Sequence, residues 1–133
     1  MRLKGGKKCA VFRRLEDVQK LTDEKPNEVA IIGVSFVALH VADTARAIGS
    51  KPKVVARSRL IRRSLEPELS AKLEEFLAEK GVEFVHEKPK EVCDGKVELD
   101  DGTEVSSEMA SMATGVSPEI TLAKEADLEL MDG

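Results

Sequence analysis

The sequence predicts an α/β fold: a parallel sheet with helices, joined to a small antiparallel meander. Short β-branched apolar runs such as Val29-Ala30-Ile31-Ile32 alternate with amphipathic helical stretches. That order builds parallel strands through right-handed crossovers. Two of the helical stretches end at a glycine, Gly49 and Gly81, where helix termination favours that residue. Two Asx-Gly pairs, Asp94-Gly95 and Asp101-Gly102, separate short β runs and mark tight turns.

Residues 1–12 read as an extended lead-in. Leu15 to Glu24 reads as a short amphipathic helix, with Leu15, Val18 and Leu21 at spacings of three. Lys25-Pro26-Asn27 breaks it. Val29 to Ile32 is a strand buried on both faces, ended by Gly33. Phe36 to Ile48 is a helix. Pro52 to Ala56 is a second strand. Glu66 to Lys80 is a helix with Pro67 in its first turn and an apolar stripe of Leu69, Leu73, Phe76 and Leu77. Val82 to Val85 is a third strand. Val92-Cys93, Val97 to Leu99 and Thr103 to Val105 form the meander. Ser111 to Ala113 is a last strand, and the tail from Pro118 is loop plus a short acidic helix.

The 133 residues suit one domain, 1–133, with a single core. Hydrophobic residues are 41% and charged residues 35%, the balance of a folded soluble chain. The net charge of −4 is spread over interspersed signs, which argues against a nucleic-acid partner. No apolar run approaches the roughly 20 residues of a membrane helix, so no membrane partner is expected. The basic start lacks the apolar stretch of a secretory signal. Cys9 and Cys93 have no metal-ligand or CxxC spacing, so no metal is expected and a reduced, cytoplasmic setting is.

Ligands of such sheets bind beyond the carboxyl ends of the strands. That rim holds Gly33–Phe36, Ala56–Ser58, His86 and Thr114–Ser117.

The motifs are more specific than the fold class. VAIIGVSFVALHVADTARAIG resembles the strand–loop–helix of the pyridine nucleotide-disulfide oxidoreductases, normally VxIIGGGYIGLExA. VVARSRLIRRSLEPELSAKLEEFLAEKGVEF resembles that family's second strand, arginine-rich loop and second helix. The DGT turn, ATGVSP and LAKEADLEL continue the match in order. The resemblance spans roughly residues 10–133. It implies a three-layer Rossmann-like NAD(P)H-binding domain that presents nicotinamide to a flavin. The FAD-binding and dimerisation domains of the family fall outside these residues, so an isolated domain is expected, not a complete flavin reductase.

The departures from the family pattern gather at one rim. The G-x-G-x-x-G/A positions are Gly33, Ser35 and Ala38, and a serine stands where backbone must approach a diphosphate. Ala56 stands where an acid would bind the adenosine ribose. Arg57 and Arg63 follow at the spacing used to grip a 2′-phosphate, within a basic run that includes Arg59 and Arg62. His40 replaces the usual Glu, Ser117 the usual Arg, and Ser111 an aliphatic residue. Gly115 closes the ATG turn.

Two functional readings follow. In the first, the rim is a rebuilt, engineered serine esterase site acting on a small-molecule substrate without a cofactor. Ser35 would be the nucleophile at a strand-to-helix elbow, His40 or His86 its base, and the amides of Phe36 and Val37 an oxyanion hole. Asp43, Glu83 or Glu87 would orient the histidine. In the second, the domain binds NADP(H) or an adenine nucleotide through Gly33, Ser35, Ala38, Arg57, Arg63 and Gly115, without catalysis. An inert redesigned scaffold is a third. Ser35 also suits an N-cap, His40 a surface helix position, and His86 an exposed strand end.

Overall fold

The computed structural model describes residues 2–3, 9–115 and 118–131. Their elements run β1 (Arg2–Leu3), β2 (Cys9–Ala10), α1 (Leu15–Glu24), β3 (Glu28–Ile32), α2 (Phe36–Ala47), β4 (Lys51–Val55) and α3 (Pro67–Glu79). Then follow β5 (Glu83–Val85), β6 (Pro89–Cys93), β7 (Lys96–Leu99), β8 (Glu104–Ser106), β9 (Met109–Met112) and α4 (Thr121–Glu125).

Two sheets result. A five-stranded sheet has the order β2-β9-β3-β4-β5, and every pairing in it is parallel. Strands β6, β7 and β8 form the antiparallel meander, and β1 adds to β6 in parallel. The chain is therefore Rossmann-like α/β with a small antiparallel sheet, as its sequence predicts.

Alternation along the strands splits the core in two. Val29, Ile31 and Val54 face the helices and pack with Leu21, Val41, Ala42 and Ala45. Ala30, Ile32 and Val55 face the other way, against Val92, Val97, Leu99 and Val105 of the meander. Helices, parallel sheet and meander thus make three layers. Val29, Ile31 and Ile32 are at most 1% exposed. Burying each contributes about 1.5–3 kcal/mol. That explains why β3 is apolar on both faces.

The lead-in differs from expectation. It contains β2, which pairs Cys9 with Ala110 and Ala10 with Ser111 and forms the outer strand of the parallel sheet. Two residues have too little periodicity to announce a strand. Their pairing depends on β9, whose partner residues lie 101 positions later in the chain.

Candidate functional site

The carboxyl ends of β3, β4 and β9 open on a cleft of about 770 Å³. Its walls are the β3–α2 turn (33–36), parts of the loop after β4 (56–58 and 61–64), the end of β9 (113–115), and Lys88-Pro89.

Gly33 shapes the turn. Its φ is +123°, and a Cβ there would lie 2.2 Å from the Ala113 carbonyl oxygen. A side chain is excluded by backbone, so only glycine lets the turn lie against the end of β9. The Gly33 amide donates to the Val55 carbonyl at 3.2 Å, which ties the turn to β4 as well.

Ser35 is the N-cap of α2. Its hydroxyl donates to the Ala113 carbonyl at 2.9 Å and accepts from the Ala38 amide at 3.3 Å. Ala38 is buried under the turn. The helix provides no partner for the Phe36 and Val37 amides, the first of its orphan donors. Both residues begin α2, and Phe36 lines the cleft. The positive end of a 12-residue helix therefore opens on the cavity.

The loop after β4 is pinned at several points. The Ile61 amide donates to the Val34 carbonyl of the glycine turn at 2.8 Å, and its own carbonyl accepts from the Ser64 and Leu65 amides. The Ser70 hydroxyl donates to the Leu60 carbonyl at 2.7 Å. The Arg59 guanidinium donates to the Leu65 carbonyl at 2.5 Å. Ile61 has φ +45°, a left-handed backbone that a β-branched residue rarely adopts. Its side chain is buried in the helix-side core. Arg57, Arg62 and Arg63 are exposed on the cleft wall, with no hydrogen bond or ion pair to any described residue.

The two histidines are elsewhere. His40 is exposed on α2, and its backbone carbonyl accepts from the Thr44 hydroxyl at 2.9 Å. His86 follows β5, where its Nε2 lies 2.5 Å from the Glu74 carboxylate of α3 and its ring stacks beside Phe84. Neither lines the cleft or bonds Ser35 among the described residues. Gly115 lines the cleft with φ +118°. Ser117 lies outside the described residues. Ser111 is fully buried in β9, and its hydroxyl has no partner among the described residues.

Sequence reasoning placed Ser58 on this rim but missed Ser64 and Lys88 on the cleft wall. It read Arg62 only as part of a basic run. Arg62 follows the left-handed turn at Ile61, which no residue type announces, and lines the cleft with Arg63.

Fold and cleft together define the class: a Rossmann-like domain of the dinucleotide-binding kind. All of residues 1–133 match the family described as pyridine nucleotide-disulphide oxidoreductase, and the chain belongs to that family. It is 30% identical over 108 residues to an NADH oxidase of Methanocaldococcus jannaschii, covering 77% of this chain and 24% of that protein. It thus spans about a quarter of the length of such curated relatives. An NAD-dependent persulfide reductase from A. fulgidus superposes with TM-score 0.84 at 20% identity, over 96% of this chain and 25% of that one. Two solved oxidases form a pair. A water-forming NADH oxidase from Lactobacillus brevis bound to NADH superposes with TM-score 0.80 at 14% identity, over 91% of this chain and 28% of that one. Its engineered NADPH oxidase form, bound to NADPH, gives TM-score 0.79 at 18% identity, over 92% and 29%. The latter carries five substitutions: Gly to Ala, Asp to Ala, Ala to Arg, Met to Ser and Pro to Arg, at successive spacings of 18, 1, 1 and 5.

These findings correct the expectation of an engineered serine esterase. The whole-chain match is to oxidoreductases and not to hydrolases. The physical reason lies at Ser35, whose hydroxyl is engaged as a cap while both histidines stand away from it. Ser35, His40 and His86 make no catalytic set. Among the described residues no helix is long and apolar enough to cross a membrane.

Proposed function

We propose that residues 1–133 form the NADP(H)-binding unit of a pyridine nucleotide-disulphide oxidoreductase. One observation carries this reading. Ala38, Ala56, Arg57, Ser58 and Arg63 stand at spacings of 18, 1, 1 and 5. They match, in identity and spacing, all five residues introduced into the oxidase bound to NADPH.

The chemistry supports it. An acid at the end of the second strand would bind the ribose hydroxyls of NAD and repel a 2′-phosphate. Ala56 removes that repulsion. Arg57 and Arg63 supply planar guanidiniums suited to a phosphate dianion, and Ser58 adds a hydroxyl donor. The diphosphate would rest at the amino end of α2, against Gly33 and the Phe36 and Val37 amides. The cleft, about 770 Å³, has the size of a cofactor site. The coenzyme supplies hydride when bound; this chain's residues bind and orient it.

Calorimetric titration tests the reading. NADPH is expected to bind at least about tenfold tighter than NADH, a difference of roughly 1.4 kcal/mol. Replacing Arg57 and Arg63 together with alanine should erase the difference. Equal affinity in the unaltered protein, or no binding at millimolar coenzyme, rejects the proposal.

A further inference from the structure

We infer that Arg62 is a further specificity-determining residue, a third arginine on the coenzyme's 2′-phosphate. The inference rests on the NADP(H) reading and deepens it, since none of the five matched positions includes Arg62.

The loop sorts its four arginines by what they touch. Arg59 is partly buried and spends its guanidinium on the Leu65 carbonyl, so it holds the loop shut. Arg57, Arg62 and Arg63 share the cleft wall with Ser58 and Ser64. Arg62 and Arg63 lie in the hydrogen-bonded turn closed by the Ser64 and Leu65 amides on the Ile61 carbonyl. Both follow the left-handed Ile61, and both line the cleft.

That conformation is costly for a β-branched residue, and the surroundings hold it in place. The Ile61 side chain is anchored in the core, and its amide and carbonyl both make backbone bonds. A loop pinned this way has lost most of its backbone freedom before a ligand arrives. Ordering an arginine on it costs less than on a free loop. Arg62 also makes no hydrogen bond or ion pair to a described residue, so its charge is not already neutralised. A phosphate monoester is the most highly charged single group of the coenzyme, and its three terminal oxygens can accept from more than two guanidiniums.

The test measures dissociation constants of NADPH, NADH and 2′,5′-ADP for the unaltered protein, Arg62→Ala, Arg62→Lys and the Arg57/Arg63 double alanine variant. Arg62→Ala should weaken NADPH and 2′,5′-ADP about tenfold and change NADH less than about twofold. Arg62→Lys should recover part of the loss. Circular dichroism melts should be unchanged, because the residue is exposed. Equal weakening of NADPH and NADH would assign Arg62 to the diphosphate and overturn the inference. Unchanged NADPH binding would overturn it too. If the double variant loses the NADPH preference while Arg62→Ala keeps it, only the Arg62 inference falls. If the unaltered protein has no preference, both readings fall.

Discussion

The two ends of the parallel sheet treat charge in opposite ways. At the amino-terminal side, Lys53 is buried yet fully partnered. Its ammonium donates to Glu28 at 2.7 Å and to the Ser106 hydroxyl and carbonyl at 2.8 and 3.1 Å. Ser106 in turn donates to Glu28 at 2.7 Å. Nearby, the Asn27 amide groups donate to Glu108, and the Ser50 hydroxyl donates to the Pro26 carbonyl. At the carboxyl side the pattern reverses. The backbone is strained at Ile61, and Arg57, Arg62 and Arg63 face a cleft without a protein partner among the described residues. Charges at one end tie β3, β4 and β8 together, while Arg57, Arg62 and Arg63 at the other are exposed on the cleft wall. Buried charge must be paired, whereas exposed unpaired charge on a rigid wall is available to a ligand.

Substitutions should separate the two ends. The largest effect is expected at Gly33→Ala, which drives a Cβ into the Ala113 carbonyl and imposes a left-handed φ on alanine. A loss of about 3 kcal/mol in chemical denaturation is expected, together with loss of coenzyme binding. A fully stable variant would mean that the turn is looser than described.

Lys53→Met should cost about 2 kcal/mol, less than a fully buried pair because Glu28 is partly exposed. Coenzyme affinity should not change, and a change would erase the distinction between the two ends. The same pair sets a pH dependence. The Lys53 ammonium, then the Ser106 hydroxyl, hold the Glu28 carboxyl below its ordinary range. A depressed folded value means the stabilisation is fully present above the unfolded value and disappears as pH falls through the folded one. The unaltered protein should therefore lose stability on acidification below the usual glutamate range more steeply than Lys53→Met.

Ser111→Ala should raise stability by about 1 kcal/mol, because it removes a buried hydroxyl with no partner among the described residues. A drop would mean that a hidden partner exists. The smallest stability effect is expected at Ser35→Gly, about 0.5 kcal/mol lost with the cap. That change should also tighten NADPH binding a few-fold by clearing a Cβ from the diphosphate's approach. Weaker binding would show that the capped turn, more than its open space, favours the ligand.

Much of the architecture was legible in the sequence because local signals and tertiary burial agreed. Val29 to Ile32 is apolar on both faces because helices cover one and the meander the other. Gly95 and Gly102, with φ +83° and +87°, sit in the turns their Asx-Gly pairs mark. The site was legible only in part. Ser35 fits both a nucleophile elbow and an N-cap, and only the position of Ala113, 78 residues away, decides between them. His86 meets Glu74 across α3 and β5, a contact set by packing and not by spacing. Lys53 looked like an ordinary strand residue, because its partners on β3 and β8 are brought to it by sheet topology. The turn at Ile61 contradicts residue preference, so the placement of Arg62 came only from the fold.

Amide chemical-shift mapping with NADPH compares the two ends in one spectrum. Shifts are expected at Gly33, Phe36, Val37, Arg57, Arg62 and Arg63, with Glu28, Lys53 and Ser106 unmoved. A saturating titration that moves the amino-terminal set, or leaves the glycine turn and arginine loop still, would contradict the assignment of the carboxyl rim as the coenzyme site.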